Sequence, residues 1–249
     1  GNTNGWWSNL FIEIDQTEQI LNKGFIIEAE SEIYVSVRVN SDGQQYQAGA
    51  LVSKGKSGLG TRFWAGMLQN QTALHVGFVS VMATEDQTVI SYNFSKDVNT
   101  IGGEKKVGVP LLVTLDKGES YILASQEFQD GLIGTSITST KPIVVNSGSA
   151  SGSFESSTGG QDYGIDQIVG ADLVGSEYIF IRGNGNNGWE NVLLIADQDN
   201  TEIIVNGTAI ATLNTGGYVI LEGDNYSSEL PGANMHVITK DPNHKLFAY

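Results

Sequence analysis

Three blocks of sequence occur twice in this chain, in the same order, and that repetition limits what it can fold into. ATEDQTVI at 83–90 returns as ADQDNTEI at 196–203, and VTLDKGESY at 113–121 returns as ATLNTGGY at 211–218. GTSITSTKPIVV at 134–145 corresponds to NMHVITKDP at 234–242, with a partial copy upstream in GFIIEAESEIYV at 24–35. The copies stand roughly a hundred residues apart, longer than a solenoid repeat and about the size of a small β-domain. A duplicated scaffold of that size points to architecture more than to a single catalytic pocket.

The local pattern is that of strands. Ile33 to Val39 alternates apolar and polar residues with period two, as do 113–115 and 121–123 on either side of Asp116-Lys117-Gly118-Glu119, so this last pair is expected to form a hairpin. Residues 202–205 and 209–213 flank Asn206-Gly207, the dipeptide best suited to a type I′ turn, which predicts a second hairpin. Asp86-Gln87 and Asp199-Asn200 occupy the same place in their repeats and are expected to turn tightly. No stretch carries sustained helical periodicity with caps. The fold class expected is therefore all-β: two tandem, internally duplicated antiparallel β-sandwich units sharing an interface, with a propeller-like radial repeat as the alternative. The division reads as N-terminal strands with the partial repeat over 1–59, a first β-unit over 60–150, a Ser/Gly-rich connection over 151–174 and a second β-unit over 175–249. The polar, glycine-rich run 146–160 is expected to be a long surface connection.

Charge narrows the partners. The formal net charge is −15 with a pI near 4.4, a field that repels nucleic-acid backbones and anionic lipid surfaces. No run approaches the roughly 20 apolar residues of a membrane helix, and a chain that begins at Gly1 reads as a processed or excised segment. There is no cysteine, hence no disulfide framework and no thiolate metal site, while 31 glycines among abundant Asn, Ser and Thr suit a turn-rich extracellular or cell-surface β-protein.

Four blocks carry a family resemblance: QAGALVSKG at 47–55 followed by LGTRF at 59–63, MATEDQT at 82–88, TLDKGESY at 114–121 and GQDYGIDQIV at 160–169. Together they resemble the IgGFc-binding protein N-terminal-like domain family, a module of large exported and surface proteins of Bacteroidetes-type bacteria, and they cover most of the chain from about residue 24. The resemblance implies a non-enzymatic domain of a long, multidomain exported protein, often one with a type IX secretion tail and a role in adhesion or gliding. Module-level likeness does not carry a ligand across, so antibody binding is not implied.

Candidate chemistry is sparse. ALVSKGKS at 50–57 nearly spells a phosphate-binding loop, but Ala50 stands where the first glycine is needed and no βαβ unit follows. Lys54, Lys56 and Arg62, with Trp64 nearby, form a local basic cluster that could hold an anionic polysaccharide against an aromatic platform; the plainer reading puts Arg62 on a structural carboxylate. Asn187 and Trp189 close a Gly/Asn-rich loop suited to sugar rings, and Trp6-Trp7 form a second aromatic pair; the plainer reading packs Trp189 under its loop. Asp197, Asp199, Asp162 and Asp166 offer oxygen ligands to Ca²⁺ without the spacing of an EF-hand, and Asp residues equally cap tight turns. No other cofactor is implied. His75, His236 and His244 are scattered, and neither a nucleophile elbow nor a zinc-protease helix is present.

The reading that results is a non-enzymatic structural and interaction module of a secreted or cell-surface adhesin-like protein, partnered by a polysaccharide or surface glycoprotein and by neighbouring domains. A carbohydrate-binding module is the alternative. A glycoside hydrolase, which needs only two suitably spaced carboxylates, is a further one.

Overall fold

A computed structural model describes residues 13–40, 48–72, 75–154, 160–227 and 233–249. Their regular structure is strand, with short 3₁₀ turns between. The first twelve strands are β1 (Ile20–Leu21), β2 (Ser36–Asn40), β3 (Ala48–Val52), β4 (Gly60–Trp64), β5 (Gly77–Ala83), β6 (Thr88–Asn93), β7 (Val98–Thr100), β8 (Gly103–Lys105), β9 (Leu111–Leu115), β10 (Ser120–Ser125), β11 (Ser136–Gly152) and β12 (Asp162–Ile168). The rest are β13 (Glu177–Ile181), β14 (Val192–Ala196), β15 (Thr201–Val205), β16 (Thr208–Leu213), β17 (Tyr218–Leu221), β18 (Asn234–Thr239) and β19 (Leu246–Ala248).

Strand β11 organises the first sandwich. Its start pairs β4 and β6, Ile143 and Val144 pair β5, and its far end pairs β12. The register shifts between Thr138 and Ile143. Pro142 lies there, and a residue with no backbone N–H suits the point where a strand leaves one ladder for another. One layer is thus β4-β11-β6-β9 and the other β10-β5-β11, joined into one nearly closed, barrel-like sheet because β11 belongs to both.

The second sandwich has the same strand order in two separate sheets, β13-β18-β15-β16 and β17-β14-β19. Registers agree as well. Thr88 faces Leu115 as Thr201 faces Leu213, Ile137 lies between Phe63 and Tyr92 as Val237 lies between Tyr178 and Val205, and Met82 faces Ser120 as Ile195 faces Tyr218. Tyr121 and Tyr218, which end the two copies of that block in the sequence, are therefore one position out of step.

Four expectations are corrected. Strands β9 and β10 do not pair with each other: the Asp116–Glu119 turn carries the chain from the β6 edge of one layer to β5 in the other, so it is an arch and not a hairpin. The Asn206-Gly207 hairpin does form, with φ of 48° and 83° as a type I′ turn requires. The same arches remove the propeller alternative, because consecutive strands β5 and β6, or β14 and β15, lie in different layers and not side by side in a blade. Finally, the Ser/Gly run is no surface connection over 146–152: it is the end of β11, with Ser147, Ser149 and Ser151 buried. Small residues are needed there because a Cβ on Gly148 would stand 2.3 Å from the Gly164 carbonyl oxygen and 2.6 Å from the Phe78 ring. The upstream partial copy at 24–35 forms no strand; pairing begins only at Ser36.

Two apolar clusters hold the layers. Strand β14 is buried along its whole length, the mark of a strand covered on both faces. Val192, Leu194 and Ala196 face the interior of the second sandwich, while Leu193 and Ile195, with Phe247 of β19, join the core of the first. The two halves are thus packed through a continuous apolar contact. Ahead of them an N-terminal arm adds β1 to β10, anchored by Glu18, which accepts the Gly102 N–H at 2.8 Å and pairs with Lys105 at 2.8 Å.

Candidate functional site

The segment after β13 is shaped by Glu190. Its carboxylate accepts the N–H groups of Gly183 (2.9 Å) and Gly185 (2.6 Å), and these bonds, helped by Arg182, hold it below the usual carboxylate range. The Asn187 amide bridges Arg182 and Asp224, accepting from the guanidinium at 2.6 Å and donating to the carboxylate. A 3₁₀ turn over Asn187–Trp189 then presents the indole. Trp189 is 56% exposed and, with Leu68, Phe154, Asp162 and the Gly152-Ser153 stretch, lines an open cleft of about 300 Å³. Asp162 is tied to the scaffold by the Ala48 N–H at 3.0 Å. An indole lining a cleft with aliphatic and aromatic side chains and a carboxylate can stack an apolar ring face and bond its hydroxyls.

The other residues singled out in the sequence lie elsewhere. The Lys54 ammonium bonds both Asp166 oxygens (2.7 and 2.9 Å) and the Gln167 carbonyl. Arg62 is paired with Asp197, and the Trp64 Nε1–H donates to the same Asp197 oxygen at 2.9 Å. Trp64 and Asp197 are both buried, so the indole is no platform and the carboxylate is compensated by a cation and a ring N–H, as a buried charge must be. Lys56 and Arg62 are both exposed, Arg62 while paired with the buried Asp197. The basic cluster is thus not one patch but two scaffold pairs and a surface lysine.

The four aspartates offered to Ca²⁺ go to four places. Asp197 sits on Arg62, Asp166 on Lys54 and Asp162 on a backbone N–H. Asp199 caps its turn through the Thr215 hydroxyl and N–H, which hold its carboxyl below the ordinary value. Among the described residues no three His, Asp or Glu side chains converge. His236 pairs with Glu177 at 2.7 Å, and His244 lies 3.5 Å from the Thr201 hydroxyl and 4.0 Å from Asp241. Trp6 and Trp7 lie outside the described residues, as do 155–159, which join Phe154 to Gly160.

Sequence reasoning found Trp189 but not Leu68 or Phe154. Phe154 had left a trace, as the lone aromatic residue in a run of Ser and Gly.

Stacked antiparallel sheets define an all-β protein, and the Trp189 cleft is its candidate site. Residues 48–244 match the model of the IgGFc binding protein family. The chain belongs to that family, one of binding domains that are typically extracellular. No curated protein and no solved structure matches the chain. Among the described residues no helix is long and apolar enough to cross a membrane.

Proposed function

We propose that the chain is a non-enzymatic interaction module of a secreted or cell-surface, adhesin-like multidomain protein, and that it takes a glycan of a surface glycoprotein or polysaccharide in the Trp189 cleft. The observation that carries this reading is the half-exposed indole lining a cleft of about 300 Å³ together with Leu68, Phe154 and the carboxylate residue Asp162. The matching strand orders and registers support a companion reading: the two sandwiches are copies of one unit, rigidly joined, serving as scaffold for the loops they carry.

A glycan-array screen of the protein, with an IgG Fc fragment included because of the family's name, tests the ligand. Replacing Trp189 by Ala should weaken the best glycan about tenfold without lowering the melting temperature, since an exposed ring contributes to binding and little to packing. Binding that survives W189A, or binding to Fc alone, would overturn the glycan reading. The Ca²⁺ alternative predicts that added Ca²⁺ raises the melting temperature by mass action; carboxylates committed to Arg62, Lys54 and backbone N–H groups lead us to expect no shift.

A further inference from the structure

The contact between the sandwiches uses two surfaces, and each has an unoccupied counterpart elsewhere in the chain. On the first sandwich the contact is made by the edge strand β4 and the residues after it. Arg62 and Trp64 hold Asp197, a Cβ on Gly216 would stand 2.8 Å from the Trp64 ring, and a Cβ on Gly66 would stand 2.3 Å from the Tyr249 ring. On the second sandwich the contact is made by the corner where β14 turns into β15 and β16 into β17.

Strand β13 is the counterpart of β4. Thr138 pairs with Arg62 as Ile238 pairs with Glu177, and Ser136 pairs with Trp64 as His236 pairs with Ile179. Continuing at the same spacing, Gly66 corresponds to Ile181. In the first sandwich these positions are covered, with Trp64 7% exposed; in the second, Ile179 is 68% and Ile181 81% exposed. The complementary corner is also repeated. Gly118 donates to the Ala83 carbonyl at 2.9 Å as Gly216 donates to Ala196 at 2.9 Å, but a Cβ on Gly118 would meet nothing within 4 Å. Among the described residues, the β13 edge and the Gly118 corner are thus both uncovered, and they are of the kinds that are joined between the two sandwiches. A heterologous pair of surfaces of this sort propagates head to tail, and the one charged residue of this edge strand, Glu177, stands at its start, while Ile179 and Ile181 lie exposed beyond it.

We propose that the β13 edge of the second sandwich docks the Ala83–Thr88 and Asp116–Glu119 corner of the first sandwich of a second copy of this chain, so that copies associate in an open, head-to-tail array. Continuity with the interface inside the chain identifies the occupant. The position of Asp197 falls to Thr84 and that of Arg62 to Glu177, so the ion pair is not remade and the apolar contact on Ile179 and Ile181 carries the association. The N-terminal arm extends the sheet at β10 through Leu21 and brings Gly24 against Met82 of β5, the counterpart of Ile195. The contact between copies is therefore smaller than the one within the chain. With a net charge of −15 opposing it at long range, association is weak and strengthens with salt.

Sedimentation equilibrium of the full chain up to about millimolar concentration should show the mean mass rising past that of a dimer. I179D/I181D, at exposed positions, should weaken association at least tenfold with an unchanged melting curve. The charge at position 84 gives the sharper reading: T84K should tighten association about threefold against Glu177 and T84E should weaken it, although both lose the same Thr84 hydroxyl bond to Pro142. A monomer throughout, a closed dimer, or association indifferent to the edge variant or to the sign at position 84 would overturn the proposal.

Discussion

The two corners are built from the same bonds and end in different surroundings. In the first, Ala83 donates to Glu119 at 3.0 Å, Lys117 to the Asp86 carboxylate at 3.0 Å and the Thr88 hydroxyl to Glu85 at 2.6 Å. In the second, Ala196 donates to Gly217 at 2.9 Å, Thr215 to Asp199 at 2.9 Å and the Thr201 hydroxyl to Gln198 at 2.8 Å. Gln87 and Asn200 take the same left-handed turn, with φ of 54° and 57°. The side chains that leave these frames differ. Thr84 is partly exposed and bonds the Pro142 carbonyl, whereas Asp197 at the same place is buried between Arg62 and Trp64. A corner closed by its own backbone and cap bonds leaves its outward positions free to be assigned to a contact or to solvent.

Removing the buried member of that contact should produce the largest effect. D197A strands the Trp64 N–H and the Arg62 cation against the second sandwich and is expected to cost about 3 kcal/mol, the low end for breaking a buried pair because Arg62 keeps some access to water. T84A, its counterpart, should cost under about 1 kcal/mol. Urea denaturation of both variants checks the pair, and similar losses would mean that Asp197 does not bear the contact.

Next in size is the glycine at each corner. Gly118 and Gly216 both hold positive φ, 85° and 75°, so an alanine at either is strained by about 1–2 kcal/mol. G216A must also push a Cβ onto Trp64, while G118A enters open space. The loss for G216A should therefore exceed that for G118A by about 1–2 kcal/mol, read from the shift in denaturation midpoints; equal losses would show that the interface gives way freely there.

The same contrast marks what the sequence reveals. Backbone-dictated features were legible: the Asn206-Gly207 turn and the Asp-capped corners follow from short-range rules about φ and local hydrogen bonds. The arch between β9 and β10 was not, because a turn with glycine at positive φ serves a hairpin and an inter-sheet crossing alike, and only distant partners decide between them. The buried serines of β11 were illegible for a related reason. Polarity alone suggests solvent, yet Ser147 satisfies its hydroxyl on the Gly66 carbonyl at 2.5 Å, a group 81 residues away. In the candidate site Trp189 was found from its own loop, but its walls come from the first sandwich, and no spacing rule links 68, 154 and 189.

The smallest expected effect is one of pH, and it separates the corners by chemistry alone. Asp116 accepts the Gln87 N–H and side-chain amide, each at 2.9 Å, and these bonds hold its carboxyl below the ordinary value. At the matching place the second corner has Asn214, whose amide oxygen accepts the Asn200 N–H at 3.3 Å without titrating. A carboxyl lowered in the folded state contributes stability that is present above its unfolded value, about 3.9, and is lost as pH falls through the folded value. D116N imitates the second corner: it keeps an oxygen acceptor and removes the titration. Relative to wild type it should therefore be slightly destabilised near pH 6, with the gap in urea midpoint closing as pH falls below about 4. A gap that stays constant down to pH of about 2 would show that Asp116 stabilises its corner no better charged than neutral.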